Sequence, residues 1–238
     1  MPAVFVHGVP DTHRVWEPVI SHLKRDDVVA LSLPGFGCDT PPGWTATKDE
    51  YVDWLITEVA AIDEPVDLVG HDWGGMLVAR VVSLAPGSVR TWALGGSPVD
   101  PDYVWHDMAQ LWQTPEVGEQ VMEAFDPATA GPGLIEAGVP ASHVDITTAA
   151  IDDRMKAAIL ALYRSATTVG SDWGDDFRDI EPPGLILWGR SDDYAPLATG
   201  EAMAARSGAE LEALGTGHWW PLDAPARVAR RLEQHWDR

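Results

Sequence analysis

Valine, leucine and isoleucine recur along the chain in short runs at residues 3–6 (AVFV), 28–33 (VVALSL), 66–69 (VDLV), 91–95 (TWALG), 185–189 (LILWG) and 209–214 (AELEAL). Several of these runs lack polar alternation, the mark of strands buried on both faces of a parallel sheet. Between most of them the apolar positions fall at helical spacing: residues 13–23, 48–62, 75–85, 198–208 and 225–236. Thr47 followed by Glu50 is a capping-box pattern at one helix start. The alternation predicts an α/β fold: an open sheet of about six mostly parallel strands with helices on both faces.

One interval breaks the rhythm. From about Ser97 to about Pro183 there is no good strand candidate, only helical patterns such as residues 147–166, separated by breaks at Pro115, Gly131 to Gly133 and Pro140. A stretch this long cannot be a structureless loop inside a compact domain, so it reads as a helical insertion over a site. The expected organisation is a core of residues 1–96 and 184–238 with an inserted cap at 97–183.

Composition narrows the partners. The 238 residues suffice for one large domain, and no apolar run approaches the roughly 20 residues that span a bilayer. With 37 acidic against 16 basic side chains the formal net charge is −21, which repels nucleic acid and anionic membranes. A small neutral, apolar substrate fits that field, and a monomer and a homodimer are both open. The single cysteine, Cys38, lies in a Pro/Gly-rich loop with no basic neighbour and is expected to be an unreactive thiol. One cysteine and an opening MPAVFVHG with no leader-like segment favour the cytoplasm.

The candidate chemistry lies at strand ends. VGHDWGG (69–75) has the form G-x-D-x-G, with Gly70, Asp72 and Gly74 between a strand and a helix. That is the pattern of a nucleophile elbow, in which a strained central residue is exposed at the sheet edge between small neighbours. Asp72 read alone also suits the N-cap of the following helix. Two further loops favour the first reading: WGRSDDYAP (188–196) offers Asp192, with Asp193 as the alternative, and TGHWWPLDAP (216–225) offers His218. Acid nucleophile, acid and histidine thus each follow a different strand, at the edge where open α/β sheets bind ligands. HGVP (7–10) follows the first strand, and the N–H groups of Val9 and Trp73 form a candidate oxyanion hole. Ser97 follows a strand but lacks elbow glycines, which disfavours a serine esterase.

Through HGVP, LPGFG (33–37), GHDWGG, WGRSDDYAP and GHWW (217–220), the chain resembles the α/β-hydrolase superfamily, and within it the branch of epoxide hydrolases and haloalkane dehalogenases. The motifs span nearly the whole chain. The hairpin that usually precedes the first parallel strand is not recognisable, which makes this a compact version of the fold. The resemblance implies attack by Asp72 on a saturated carbon, then hydrolysis of the ester by water activated by His218, oriented by Asp192 or Asp193.

Epoxide hydrolases protonate the ring oxygen with cap tyrosines, and Tyr163-Arg164 resembles the motif carrying one of them. No tyrosine occupies the second position, near His106 to Met108; Tyr103, His106 and Trp112 are the residues available there. A hydrophobic or aryl epoxide is the expected substrate, in a pocket that includes Trp73, His106, Trp112 and Trp219. A haloalkane dehalogenase with the same nucleophile is the first alternative, although Val9 stands where many of those enzymes have asparagine. A low-turnover ligand-binding protein on a hydrolase fold is the second. No metal or organic cofactor is implied, and His7, His71 and His218 lack metal-ligand spacing.

Overall fold

The computed structural model describes residues 1–237. All six apolar runs are strands: β1 Ala3–Val6, β2 Val28–Leu31, β3 Val66–His71, β4 Val89–Gly95, β5 Gly184–Gly189 and β6 Glu210–Leu214. They pair in parallel in the order β2-β1-β3-β4-β5-β6. The first helices are α1 Glu17–Ile20, α2 Lys48–Ala60 and α3 Trp73–Leu84. Between β4 and β5 lie α4 Asp107–Gln113, α5 Val117–Ala124, α6 Gly131–Glu136, α7 Val144–Ala150, α8 Asp153–Ser165 and α9 Val169–Trp173. Helices α10 Leu197–Ser207, α11 Trp220–Asp223 and α12 Pro225–Trp236 complete the order. Among the described residues no helix is long and apolar enough to cross a membrane.

Successive strand residues feed two cores, as the two-residue period of a strand requires. Val4, Val6, Leu68, Leu94 and Ile186 pack with Leu55 of α2, Val78 of α3 and Met203 of α10. Phe5, Val69, Ala93, Leu185 and Leu187 pack with Val19 of α1 and with Val228 and Leu232 of α12. The inner strands are accordingly buried along both faces, whereas the edge strands β2 and β6 are only partly covered.

Two expected helices form differently. Residues 147–166 split into α7 and α8 because the Asp152 carboxylate accepts the Met155 N–H at 2.8 Å and starts a new helix. The 13–23 segment is a 3₁₀ turn, His13–Trp16, followed by the short α1. Pro18 explains this: it has no N–H to give to a carbonyl four residues back, but it fits the first turn of a helix. The capping box is half made: the Thr47 side chain accepts the Glu50 N–H at 3.4 Å, while Glu50 turns to the Thr45 N–H and hydroxyl.

The chain leaves β1 for β2 on one side and later returns to place β3 on the other. Strand order therefore reverses between β1 and β3, the switch point at which the carboxyl ends of such sheets open a crevice. The pairings Val6 with Gly70 and His71 with Gly95 set the ends of β1, β3 and β4 level there.

Candidate active site

Asp72 sits at the top of β3 with φ 53° and ψ −126°. A non-glycine residue in that region costs about 1–3 kcal/mol and persists only where its surroundings enforce it. Backbone bonds enforce it here: the Asp72 N–H donates to the Gly95 carbonyl at 3.1 Å, and its own carbonyl accepts from Gly75 and Met76 at 3.0 and 3.1 Å. Close approach explains the glycines. A Cβ on Gly74 would lie 2.1 Å from the Val6 carbonyl oxygen, and one on Gly8 would lie 2.1 Å from Asp72 Oδ1. Gly74→Ala is expected to destabilise the fold by about 3 kcal/mol or more, since the obstructing atoms are backbone; a lowered urea midpoint measures it.

The Asp72 side chain makes no capping hydrogen bond to α3, so capping is not what it does. Its two oxygens are instead divided. Oδ1 accepts the Val9 N–H at 2.6 Å, and Oδ2 faces His218 Nε2 at 3.6 Å. Trp73 follows as the first residue of α3, where N–H groups have no intrahelical partner. Burial opposes ionisation of Asp72, but His218 and the Val9 N–H outweigh it and hold the carboxyl below its ordinary range.

His218 Nδ1 donates to Asp192 Oδ2 at 2.9 Å, and Asp192 Oδ1 accepts the N–H groups of Tyr194 and Ala195, each at 2.9 Å. Three hydrogen bonds thus fix the acid, and the adjacent Asp193 is exposed to solvent. Burial disfavours the imidazolium, yet the carboxylates of Asp192 and Asp72 prevail and push His218 up to about 10. Two further histidines brace the loops. His71 Nε2–H donates to the His218 carbonyl at 2.9 Å; His7 Nδ1–H donates to the Gly8 carbonyl at 2.8 Å while its Nε2 accepts the Leu33 N–H at 3.0 Å. Burial lowers both to about 4, so they are neutral. Among the described residues no group of three His, Cys, Asp or Glu side chains is arranged to hold a metal.

A cavity of about 380 Å³ opens over Asp72 and His218 and runs past α4 to Val121 of α5, Phe125 just beyond it and Leu134 of α6. Val9, His106, Trp112, Tyr163 and Trp219 also line it. Tyr163 is 2% exposed, with the rings of Trp73, Trp105 and Trp112 at 5.4, 5.2 and 4.8 Å. Burial, with the Asp72 charge, raises its hydroxyl well above the usual range, so it keeps its proton.

Compared with known proteins, residues 3–231 match the model of the alpha/beta hydrolase family. The chain belongs to that family. It is 25% identical over 98% of its length to (E)-2-((N-methylformamido)methylene)succinate hydrolase of Acinetobacter baylyi, covering 89% of that protein. Epoxide hydrolase 4 of Mus musculus is 28% identical over 47% of the chain and 33% of its own length. The solved haloalkane dehalogenase DbeA of Bradyrhizobium elkani superposes with a TM-score of 0.81 at 20% identity, over 99% of this chain and 91% of that one. At such identity the likeness is one of fold.

Within this alpha/beta hydrolase one expected pocket residue stands elsewhere. Trp73 does not line the cavity: it is fully buried, stacked on Trp105 at 5.7 Å, because the elbow turns it inward beneath Tyr163. Tyr103 is occupied, its hydroxyl donating to the Tyr194 carbonyl at 2.9 Å. Two residues were not anticipated from sequence. Tyr194 lines the cavity with its ring 5.0 Å from that of His218, and its place two residues after Asp192 is the signal that would have found it. Asp11, one residue beyond HGVP, is buried and accepts the Trp219 indole N–H at 2.9 Å; nothing local distinguishes it from an ordinary capping acid.

The arrangement can do a definite set of things. It offers an ionised carboxylate at the cavity wall, holds one of its oxygens on a backbone N–H, and sets a histidine oriented by a second carboxylate beside the other.

Proposed function

We propose that this hydrolase opens neutral, apolar epoxides to diols through a covalent ester on Asp72. The observation that carries the reading is the divided carboxylate in the cavity wall: Oδ1 on the Val9 N–H, Oδ2 facing His218 Nε2 at 3.6 Å. A carboxylate attacking an ester carbonyl would form an anhydride, whereas attack on a saturated carbon forms a stable ester. Oδ2 attacks one ring carbon, the carbon–oxygen bond breaks, and the ring oxygen takes a proton from the cavity wall. Water, giving its proton to His218, then adds to Cγ of Asp72, with the charge on Oδ1 met by the N–H groups of Val9 and Trp73. Collapse passes the His218 proton to the departing alkoxide, releases the diol and leaves one water oxygen on Asp72, whose carboxyl proton restores the acid of the cavity wall. Esterification removes a charge that sustains the His218 imidazolium, so the histidine becomes a base at the step that needs one. The insertion at 97–183 serves as the cap and residues 1–96 and 184–238 as the core.

Tyr163 is the ring-oxygen acid, and His106 stands in for the missing second tyrosine. As N-cap of α4, His106 Nδ1 accepts the Ala109 N–H at 3.2 Å, so the proton of the neutral ring lies on Nε2, a donor on a cavity-wall side chain. Burial lowers its pKa and keeps it neutral. Tyr163→Phe is expected to slow epoxide alkylation of Asp72 by about 100-fold or more. His106→Asn, which retains the cap, slows it less, and neither variant slows attack on a bromoalkane. Rapid-quench mass spectrometry of the adduct measures both rates.

A haloalkane dehalogenase is the second reading, favoured by the buried indole N–H of Trp112, a cavity-wall residue beside Tyr163 whose N–H has no hydrogen-bond partner among the described residues. One experiment separates the two: excess enzyme in ¹⁸O water with an aryl epoxide and, separately, a bromoalkane. Diol with label entering Asp72 supports the epoxide hydrolase; bromide release without diol overturns it for the dehalogenase.

A further inference from the structure

Tyr194 lines the cavity but has no role in the reaction above. It stands two residues beyond Asp192 in the loop after β5, and its polar groups reach three different parts of the chain. Its N–H donates to Asp192 Oδ1 at 2.9 Å, and its carbonyl accepts the Tyr103 hydroxyl at 2.9 Å. Its own hydroxyl donates to the Ala137 carbonyl at 3.0 Å. Ala137 caps the C-terminus of α6, where helix carbonyls have no partner inside the helix. The ring between these ends meets His106 at 4.9 Å, His218 at 5.0 Å and Trp219 at 5.9 Å, each at a steep angle.

The helix that the hydroxyl holds has little stability of its own. Helix α6 has six residues, two of them glycine, and Gly138 just beyond it takes a φ of 104°. So short a helix forms only where tertiary contacts fix it, and glycine weakens it further. Yet Leu134 of α6 and Ala137 at its end wall the cavity. With Val121 and Phe125 opposite no charge, Leu134 presents only hydrocarbon to whatever lies there, so that arm suits an apolar substituent. A tyrosine side chain has only two rotatable torsions, so a ring rooted beside Asp192 and bonded to α6 at its tip sets the distance between them.

We infer that Tyr194 is a specificity-determining strut: by tying α6 to the loop of Asp192 it fixes the width of the apolar arm, and with it the size of the uncharged substituent that a substrate can carry away from the reacting carbon. The inference rests on the epoxide reading for the choice of substrate and not for the strut itself. Without the hydroxyl bond α6 is free to give way. A one-ring substituent then loses part of its wall, while a two-ring substituent gains room.

Tyr194→Phe tests this in the full chain, because it keeps the ring and removes only the tie. With terminal phenyl and biphenyl epoxides as probes, KM for the phenyl epoxide should rise about fivefold, the equivalent of one hydrogen bond, and KM for the biphenyl epoxide should fall. The effect should lie in KM rather than kcat. Ala137→Val adds bulk to the wall at the other end of the strut and should raise KM for the biphenyl epoxide instead. A merely structural role would lower activity toward both epoxides alike.

Binding without turnover gives a second readout. Titration of tryptophan fluorescence with the phenyl and biphenyl diols should show the same opposite shifts in Kd, and amide hydrogen exchange over residues 131–138 should quicken in Tyr194→Phe. Equal changes for both ring sizes, unchanged exchange over α6, or no binding of either diol to wild type overturns the strut. If the diols show the opposite shifts and neither epoxide is turned over by wild type, the strut stands and the epoxide reading falls.

Discussion

Asp72→Asn is expected to abolish turnover, by roughly 10⁴-fold or more, in a protein that still folds. An amide nitrogen or oxygen is a poor nucleophile, but the asparagine carbonyl can take the place of Oδ1 on the Val9 N–H. Asparagine also tolerates positive φ better than most residues, so the strained corner is retained. The substitution removes one of the two carboxylates that hold His218 near 10, so the histidine should titrate lower, by proton NMR of its ring. Diol or bromide release and intact mass after incubation with substrate measure the first effect. An adduct at wild-type rate in Asp72→Asn would show that the nucleophile is another residue.

His218→Gln should separate the two half-reactions. In the proposed reaction, attack by Asp72 needs no base, because the carboxyl is already ionised, whereas hydrolysis of the ester needs one. The variant should therefore release one equivalent of leaving group, or consume one equivalent of epoxide, and then stall with the adduct in place. Steady-state turnover should fall by roughly 10³ to 10⁴. Asp192→Asn should stall at the same step, since the amide no longer offers His218 Nδ1–H the carboxylate that orients it. Turnover that continues linearly in His218→Gln without accumulated ester would show that another group activates water.

The candidate site was legible in the sequence because each of its parts is a local event at a strand end. Asp72 stands between glycines whose closeness to backbone atoms leaves no room for a side chain. His218 and Asp192 stand in loops after β6 and β5, and a parallel sheet brings the ends of its strands to one edge whatever the loops contain. Helix length was less legible. The apolar period of residues 147–166 continues through the break between α7 and α8, and only the side-chain bond of Asp152 interrupts it.

By itself, then, the sequence determined the strands, their alternation with helices, and the residues at the elbow and its two partner loops, because apolar periodicity and turn chemistry act over a few neighbouring residues. Only the tertiary structure decided between Asp192 and Asp193, since both occupy one loop and the choice depends on which of them turns its carboxylate to His218. It also moved Trp73 from the cavity wall to the layer behind Tyr163 and brought Tyr194 and Asp11 to the site. Those placements depend on how the helices between β4 and β5 pack over the sheet, and contacts such as Asp11 with Thr147 and Trp219 join residues too far apart in sequence for any local pattern to record them.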